Sequence, residues 1–264
     1  MRRKYNFSVG VMFKNESHIM EEWIQHYLRV GADHIYMINH QSNDNYMDIL
    51  NGYIEKNIIS LYNSNHKPKR FAQVEQYNDK ITPSVKDSNW FAFLDMDEFL
   101  YSRKNNNITN LLGQSPYDCY TLNWLNFGSN DKQDTPKSAI AAFTKRFNYN
   151  LKGNDFPALR QIKTLFKTDT FTEVKDLHTI DNFKKRYYLL KQYNQLNEDH
   201  IAKMDLTINH YSTQAYQWFF KTEKQNRAGN SSLIKYTEGY WRSMNTNHIE
   251  DTTLLKQYEN QDNK

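Results

Sequence analysis

The sequence predicts an α/β fold: a mostly parallel central sheet with helices on both faces, followed by a less regular second half. Three observations predict it. Short β-prone apolar runs alternate with helix-periodic segments through the first hundred residues. The strand runs are nearly all apolar, as expected of strands buried on both faces. Hydrophobic residues make up 38% of the 264-residue chain, enough for one sizeable core.

NFSVGVMF, Asn6 to Phe13, reads as the first strand. A helix follows from about Ile19 to Val30, where Ile19, Trp23, Tyr27 and Val30 share one face and Gly31 stops it. HIYMI, His34 to Ile38, is the second strand, and the polar loop NHQSNDN leads to a helix from about Tyr46 to Lys56. IISLY, Ile58 to Tyr62, is the third strand. A mixed helix from about Phe71 to Ile81 is expected to end before Pro83. NWFAFL, Asn89 to Leu94, is the fourth strand. The second half has β-like pieces at CYTLNWLNF, QIKTLF and KRYYLL, and a helix from about Gln214 to Arg227. Residues 1–250 are read as one domain, with a first half of about 1–100 and a second of about 101–230. The polar tail 251–264 is expected to fray.

Composition narrows the class. Net charge is +4, from 34 basic and 30 acidic residues, with no basic block, which argues against nucleic acid. Cys119 is the lone cysteine, so no intrachain disulfide forms. No apolar run approaches the roughly 18 residues of a membrane span, and the basic start MRRK leads straight into a strand pattern. A cytoplasmic location is the expectation. The chain is rich in Tyr (19) and Phe (15), which fill cores and also stack on pyranose faces.

In a parallel sheet ligands bind at the carboxyl ends of the strands. That rim should gather KNES (Lys14 to Ser17), QSND (Gln41 to Asp44) and FLDMDEFL (Phe93 to Leu100). The last is the strongest signal. A buried strand delivers Asp95, Asp97 and Glu98 to the rim, and three unpaired buried carboxylates would be very costly. They are therefore solvated, paired or holding a cation. Asp95 and Asp97 point to one side of an extended backbone, as two ligands of a hard divalent ion do. Phe99 and Leu100 rule out a calcium-binding helix–loop–helix.

Asn15 and Glu16 either hold a nucleobase or ribose edge, or belong to a helix start capped by Asn15 or Ser17; Ser42 and Asp44 likewise bind or cap. His210, in INHYS, is a structural histidine or a further metal ligand. Lys221, Lys224 and Arg227 form a solvated basic face or a clamp on diphosphate.

These residues fall in an order that resembles the GT-A-type glycosyltransferases of the family 2-like and family 92-like group. KNESHIMEEWIQHYLRVGADHIYMINHQSND is similar to the group's opening pattern, with Asn39 standing where many relatives carry aspartate. Gln73 and Tyr77 match its helix before the fourth strand, and FLDMDEFL its aspartate-x-aspartate-glutamate-phenylalanine motif. WLNFGS, Trp124 to Ser129, and NHYSTQAYQWFFKTEKQNRAG resemble its later segments. The resemblance covers about Phe7 to Gly229.

It implies transfer of a sugar from a UDP- or GDP-linked donor to an acceptor hydroxyl on a glycan or glycoconjugate, with inversion and with Mn²⁺ or Mg²⁺. The implied donor residues are Asn15, Glu16, Asn39, Ser42, Asp44, Gln73, Tyr77, Asp95, Lys221 and Arg227. The implied metal ligands are Asp95, Asp97 and His210. Trp124, Phe127, Gly128 and Ser129 are expected on the acceptor side, with core packing the other reading for Trp124 and Phe127. Asp131 is the expected general base, or else a surface turn residue. The rival reading is a non-catalytic nucleotide-sugar or glycan-binding protein of the same fold.

Overall fold

The structure is a computed structural model. It describes residues 3–67, 72–104, 107–151, 161–181, 183–187, 196–220 and 237–262.

The first half follows the expected alternation. Strand β1 (Tyr5–Phe13) leads to helix α1 (Ser17–Val30), β2 (His34–Asn39), α2 (Tyr46–Glu55) and β3 (Ile59–Asn63). Gly31 ends α1 in the left-handed region, at φ 104°, which a residue without Cβ adopts freely. Then comes α3 (Ala72–Gln76), a π-helical turn (Tyr77–Ile81), α4 (Thr82–Val85) and β4 (Ser88–Phe93). The expectation that this helix ends before Pro83 is corrected. The wide π turn resets the helix, and Pro83 falls in the first turn of α4, where no N–H donor is needed.

The chain then reverses into β5 (Glu98–Ser102) and continues with α5 (Ile108–Gly113), β6 (Cys119–Asn126), α6 (Ala139–Ala142) and β7 (Lys145–Arg146). The remaining elements are β8 (Ile162–Lys167), β9 (Arg186–Tyr187), α7 (Glu198–Lys203), β10 (Leu206–His210), α8 (Tyr216–Phe220), α9 (Glu238–Met244), β11 (Ile249–Glu250) and α10 (Thr253–Asp262).

The central sheet runs β3-β2-β1-β4-β8-β6-β10-β5, with β9 also on β6. β1 to β4 are parallel; β8 is antiparallel to β4 and to β6, while β10 is parallel to β6 and β5 antiparallel to β10. The α/β expectation therefore holds, and β8 and β5 are the reversed strands. One consequence matters for chemistry. The ends of β1, β2, β4, β6 and β10 and the starts of β8 and β5 share a single rim.

Alternation along β1 feeds two cores. Phe7, Val9, Val11 and Phe13 pack under α1 and α2, whereas Met12 joins Tyr77, Ile81, Phe91, Phe93 and Phe166 on the other face. Aromatic side chains fill both, which accounts for most of the tyrosine and phenylalanine content.

The chain end is also corrected. Thr253–Asp262 is helical, with Leu254 buried, instead of frayed. Tyr258 donates to His26 Nδ1 at 2.7 Å, and the Arg29 guanidinium lies 4.1 Å over its ring. Asp251, just before this helix, accepts from Arg146 Nε at 2.8 Å and Arg103 Nη1 at 3.1 Å. Both Arg146 terminal nitrogens bond the Glu198 carboxylate, at 2.9 and 2.7 Å.

Candidate functional site

The acidic motif forms a tight turn held from behind. Glu98 N donates to the Asp95 carbonyl at 3.1 Å, and Glu98 Oε2 accepts from Asp95 N at 2.9 Å. The apolar stripe of α1 fixes this turn through its polar tips. Trp23 Nε1 donates to the carbonyls of Asp95 and Glu98, and Tyr27 donates to the Glu98 carbonyl at 2.8 Å. The carboxylates consequently have little freedom to reorient.

Asp95 and Asp97 have different partners. Asp95 Oδ2 pairs with Lys163 Nζ at 2.9 Å, and Oδ1 accepts from Gln73 Nε2 at 3.0 Å. Gln73 also donates to the Tyr77 hydroxyl at 3.0 Å, so the helix before β4 braces the motif. Burial alone would raise the Asp95 carboxyl, but the Lys163 ammonium and the Gln73 amide hold it well below the usual carboxylate range. Lys163 is 1% exposed and stays protonated because Asp95 and Glu98 outweigh its burial. Glu98 Oε1 is 3.5 Å from the same ammonium, without a hydrogen bond. Burial pushes the Glu98 carboxyl up, Lys163 opposes this, and repulsion from Asp95 and Asp97 adds to it.

Asp97 instead faces His210, with Oδ1 3.6 Å from Nε2. The pairing of β5 with β10 places them together, since His210 is in register with Glu98 and Tyr211 N donates to the Asp97 carbonyl at 2.8 Å. His210 Nδ1 lies 2.9 Å from Asn126 Oδ1, and Asn126 Nδ2 donates to Tyr149 at 3.1 Å. Asn126 holds the ring from its Nδ1 side, so Nε2 is turned toward the Asp97 carboxylate. The oriented histidine and the carboxylate fit two places of a divalent ion's shell. Asp95 is already engaged by Lys163. Among the described residues no group of three His, Cys, Asp or Glu side chains comes close enough to hold a metal together.

The two rim loops are stitched to each other. Asn15 N donates to Ser42 Oγ at 3.0 Å, Asn43 N to Asn15 Oδ1 at 2.8 Å, and Ser42 N to Asn39 Oδ1 at 2.8 Å. Asn39 Nδ2 donates to Asn63 and to the Tyr46 hydroxyl. Asp44 caps the first helix across the gap, accepting from Ser17 N at 2.8 Å, while α2 has Asn45 at its cap with no side-chain bond. The expected caps are thus corrected: neither Asn15 nor Ser17 caps α1, and neither Ser42 nor Asp44 caps α2. Asp44 Oδ1 is buried without a hydrogen-bond partner, and Glu16 on the facing loop is half-buried.

On the other side of the rim, Trp124 is 7% exposed and its ring lies 3.9 Å from that of His210, at 32°. Half-buried His178 packs edge-on against the same indole at 5.5 Å. Burial, and then Lys163, lower the His178 pKa. Phe127 and Ser129 are buried. At Gly128 a Cβ would collide with the Asn247 side-chain oxygen and the Thr246 carbonyl. Asn245 and Asn247 accept from Ser129 N and Asn130 N at 2.6 and 2.8 Å. Phe127 therefore takes the core reading, and the glycine is required by close packing of the 245–247 segment. Asp131 is exposed on the turn that follows, at φ 58°. Lys221, Lys224 and Arg227, and the expected helix beyond Phe220, lie outside the described residues.

Lys163 is the site residue that sequence reading passed over. Its signal was present: a lysine between Ile162 and Leu165 in an apolar strand demands a buried carboxylate.

Comparison with known proteins agrees with the resemblance. The chain is 21% identical over 230 residues to a glycosyltransferase family 92 protein of Oryza sativa subsp. japonica, covering 83% of this chain and 35% of that protein. It therefore spans about a third of the length of that curated relative. Among solved structures, S. aureus TarS residues 1–349 match with a TM-score of 0.40 at 13% identity, over 62% of this chain and 47% of that one. HddC from Yersinia pseudotuberculosis matches with a TM-score of 0.35 at 8% identity, over 69% and 89%. Likenesses this loose add nothing to the reading of the site. The model of the family described as Glycosyltransferase family 92 matches residues 3–252. The chain belongs to glycosyltransferase family 92.

Proposed function

We propose that the rim is the donor site of a glycosyltransferase that moves a sugar from a UDP- or GDP-linked donor to a hydroxyl of a glycan or glycoconjugate, with inversion and with Mn²⁺ or Mg²⁺. The single observation that carries this reading is the Asp97–His210 pair beside the Lys163-neutralised Asp95, at the carboxyl ends of the strands.

Asp97 and His210 would hold the ion, with water and the donor's phosphate oxygens completing its shell. When bound, such an ion supplies positive charge to the departing nucleoside diphosphate. The chain's own residues do the rest. Lys163 keeps Asp95 ionised and fixed, so that Asp95 accepts hydrogen bonds from the donor while repelling its phosphates less than a bare carboxylate would. Gln73 and Tyr77 hold that carboxylate in place. Asn15, Glu16, Asn39, Ser42 and Asp44 shape the loop pair that receives the nucleoside, and the unpartnered Asp44 oxygen suits a hydroxyl or N–H donor. Lys221 and Arg227 clamp the diphosphate. Trp124 and His178 border the space next to the donor's sugar, with Asp131 as the general base on the adjoining turn.

The test is a thermal-shift series with UDP, GDP and their common sugars, with and without Mn²⁺, followed by product analysis by NMR. The reading expects stabilisation that needs nucleotide and metal together, and an inverted anomeric centre in the product. Binding without transfer to any acceptor would favour a non-catalytic nucleotide-sugar protein. Equal indifference to every nucleotide would overturn the donor site itself.

A further inference from the structure

The segment between β8 and β9 holds His178 against the start of β8, and its backbone is pinned three times. Asn78, in the π turn, brackets Val174 with its amide, donating to the carbonyl and accepting from the N–H, both at 2.8 Å. Asp176 Oδ1 accepts from His178 N at 2.7 Å and from Thr179 N at 2.9 Å. Thr164 Oγ1 donates to the His178 carbonyl at 3.0 Å and accepts from Ile180 N at 3.3 Å. The ring is fixed as well. Nδ1 lies 3.0 Å from the Ile162 carbonyl, and the ring packs edge-on against Trp124.

A carbonyl only accepts, so Nδ1 carries the proton and Nε2 the lone pair. Burial and then the Lys163 ammonium lower the His178 pKa, against the Ile162 bond, Asp95 and Asp176, so the ring is neutral at pH 7. Among the described residues Nε2 has no hydrogen-bond partner, yet it is not sealed away, and His178 is half-buried. The rim therefore carries a neutral, rigid hydrogen-bond acceptor that the fold itself does not use.

Strand order decides what can reach it. Along the rim the order is β2, β1, β4, β8, β6 and β10. The loops proposed for the nucleoside follow β2 and β1, and Asp95 follows β4. His178 hangs on the first residue of β8, and Trp124 and His210 stand on β6 and β10. β8 lies two strands beyond β1, about 10 Å at ordinary sheet spacing. A donor with its nucleoside in those loops and its diphosphate reaching toward Asp97 and His210 brings its sugar to this place. The imidazole lone pair repels phosphate oxygens and calls for an O–H or N–H, which a sugar hydroxyl supplies.

We propose that His178 reads the transferred sugar: its Nε2 accepts a hydrogen bond from one hydroxyl of the donor's sugar, between Asp95 and Trp124. The inference rests on the donor-site reading and adds a specificity-determining residue to it.

The experiment is calorimetry on the full chain with Mn²⁺, using UDP, GDP, UDP-glucose, UDP-galactose, UDP-N-acetylglucosamine, GDP-mannose and GDP-fucose. For the tightest-binding nucleotide sugar, His178→Phe should weaken binding about tenfold, the loss of one hydrogen bond, and leave the matching bare nucleotide unchanged. Long-range ¹⁵N NMR of the wild-type imidazoles gives a readout that does not depend on how the variant folds. The His178 Nε2 signal should move with that nucleotide sugar and stay in place with the nucleotide alone. An unmoved Nε2 signal, an unchanged nucleotide-sugar affinity in His178→Phe, or an equal loss for the bare nucleotide overturns the inference and leaves the donor site standing. So does an Nε2 shift produced by free glucose, galactose or mannose without nucleotide, which would give the hydroxyl to the acceptor. A wild type that binds none of the nucleotides or nucleotide sugars overturns the donor site itself, and this inference with it.

Discussion

Two buried clusters of charge among the described residues are finished to different degrees. In the closing cluster every strong group is matched. Arg146 makes paired bonds to Glu198 and a third to Asp251, Arg103 adds to Asp251, and the other Asp251 oxygen accepts from Thr253 N and Oγ1 at 3.2 and 2.6 Å. At the rim, Asp95, Asp97 and Glu98 face one buried ammonium and one histidine. Glu98 Oε1 is buried with no hydrogen bond, and Asp97 Oδ1 lies 3.6 Å from His210 Nε2. A completed network holds structure together, whereas an acid-rich, incomplete one at a strand rim has room for a cationic or hydrogen-bonding ligand.

The largest effect should come from breaking the completed cluster. Asp251→Asn removes a charge that two arginines share, leaving buried Arg146 with Glu198 alone and taking the Asp251 carboxylate from Arg103. Breaking a buried pair in this way typically costs about 3–5 kcal/mol, readable in the urea midpoint of the full chain. Nucleotide affinity measured below the transition should stay at the wild-type value. A fall in affinity without a fall in stability would mean that the two clusters are one functional unit.

A smaller effect is set by pH. His26 is buried between the Leu100 carbonyl, to which Nε2 donates at 2.8 Å, and the Tyr258 hydroxyl. Burial, opposed by the Leu100 bond and aided by Arg29, lowers its pKa to about 4. The neutral ring is the form that the fold accepts. Its contribution is complete above the unfolded pKa of about 6.5 and is lost as pH falls from there toward 4, because the unfolded chain then binds the extra proton. The full loss is about 3 kcal/mol. Comparing unfolding free energies at pH 7 and pH 4.5 in the wild type and in His26→Gln checks this. The variant should be less stable at pH 7 but flatter across the range. An equally steep profile would assign the acid sensitivity to other groups.

The same contrast explains what could be read from sequence. The first half was legible because its strands and helices are local patterns: the Trp23 and Tyr27 stripe, Gly31 as a stop, and the apolar run into Asp95. The rim was legible as a place for the same reason. Its wiring was not. Lys163 reaches Asp95 across 68 residues, and Asp44 caps a helix that begins 27 residues earlier. Register between distant strands decides such pairs, and it leaves no local periodicity. The final helix was missed because its sequence is polar. What orders it is Leu254, Tyr258 and the Asp251 staple, each meaningful only once Arg146 and His26 are in place. The glycine of the FGS turn answers to packing against Asn247, a contact that no local pattern announces.

That the Asp97–His210 pair serves a ligand at the rim is the central claim, and Asp97→Asn tests it most directly. Asparagine keeps the volume of this buried side chain and removes its repulsion with Glu98, so the fold should survive the change. Nucleotide-sugar affinity should be measured by calorimetry with and without Mn²⁺, alongside transfer to a glycan acceptor and the melting temperature. The account predicts an unchanged melting temperature, loss of the metal-dependent part of the affinity, and loss of transfer. Metal-dependent binding and transfer at wild-type levels in Asp97→Asn would contradict it.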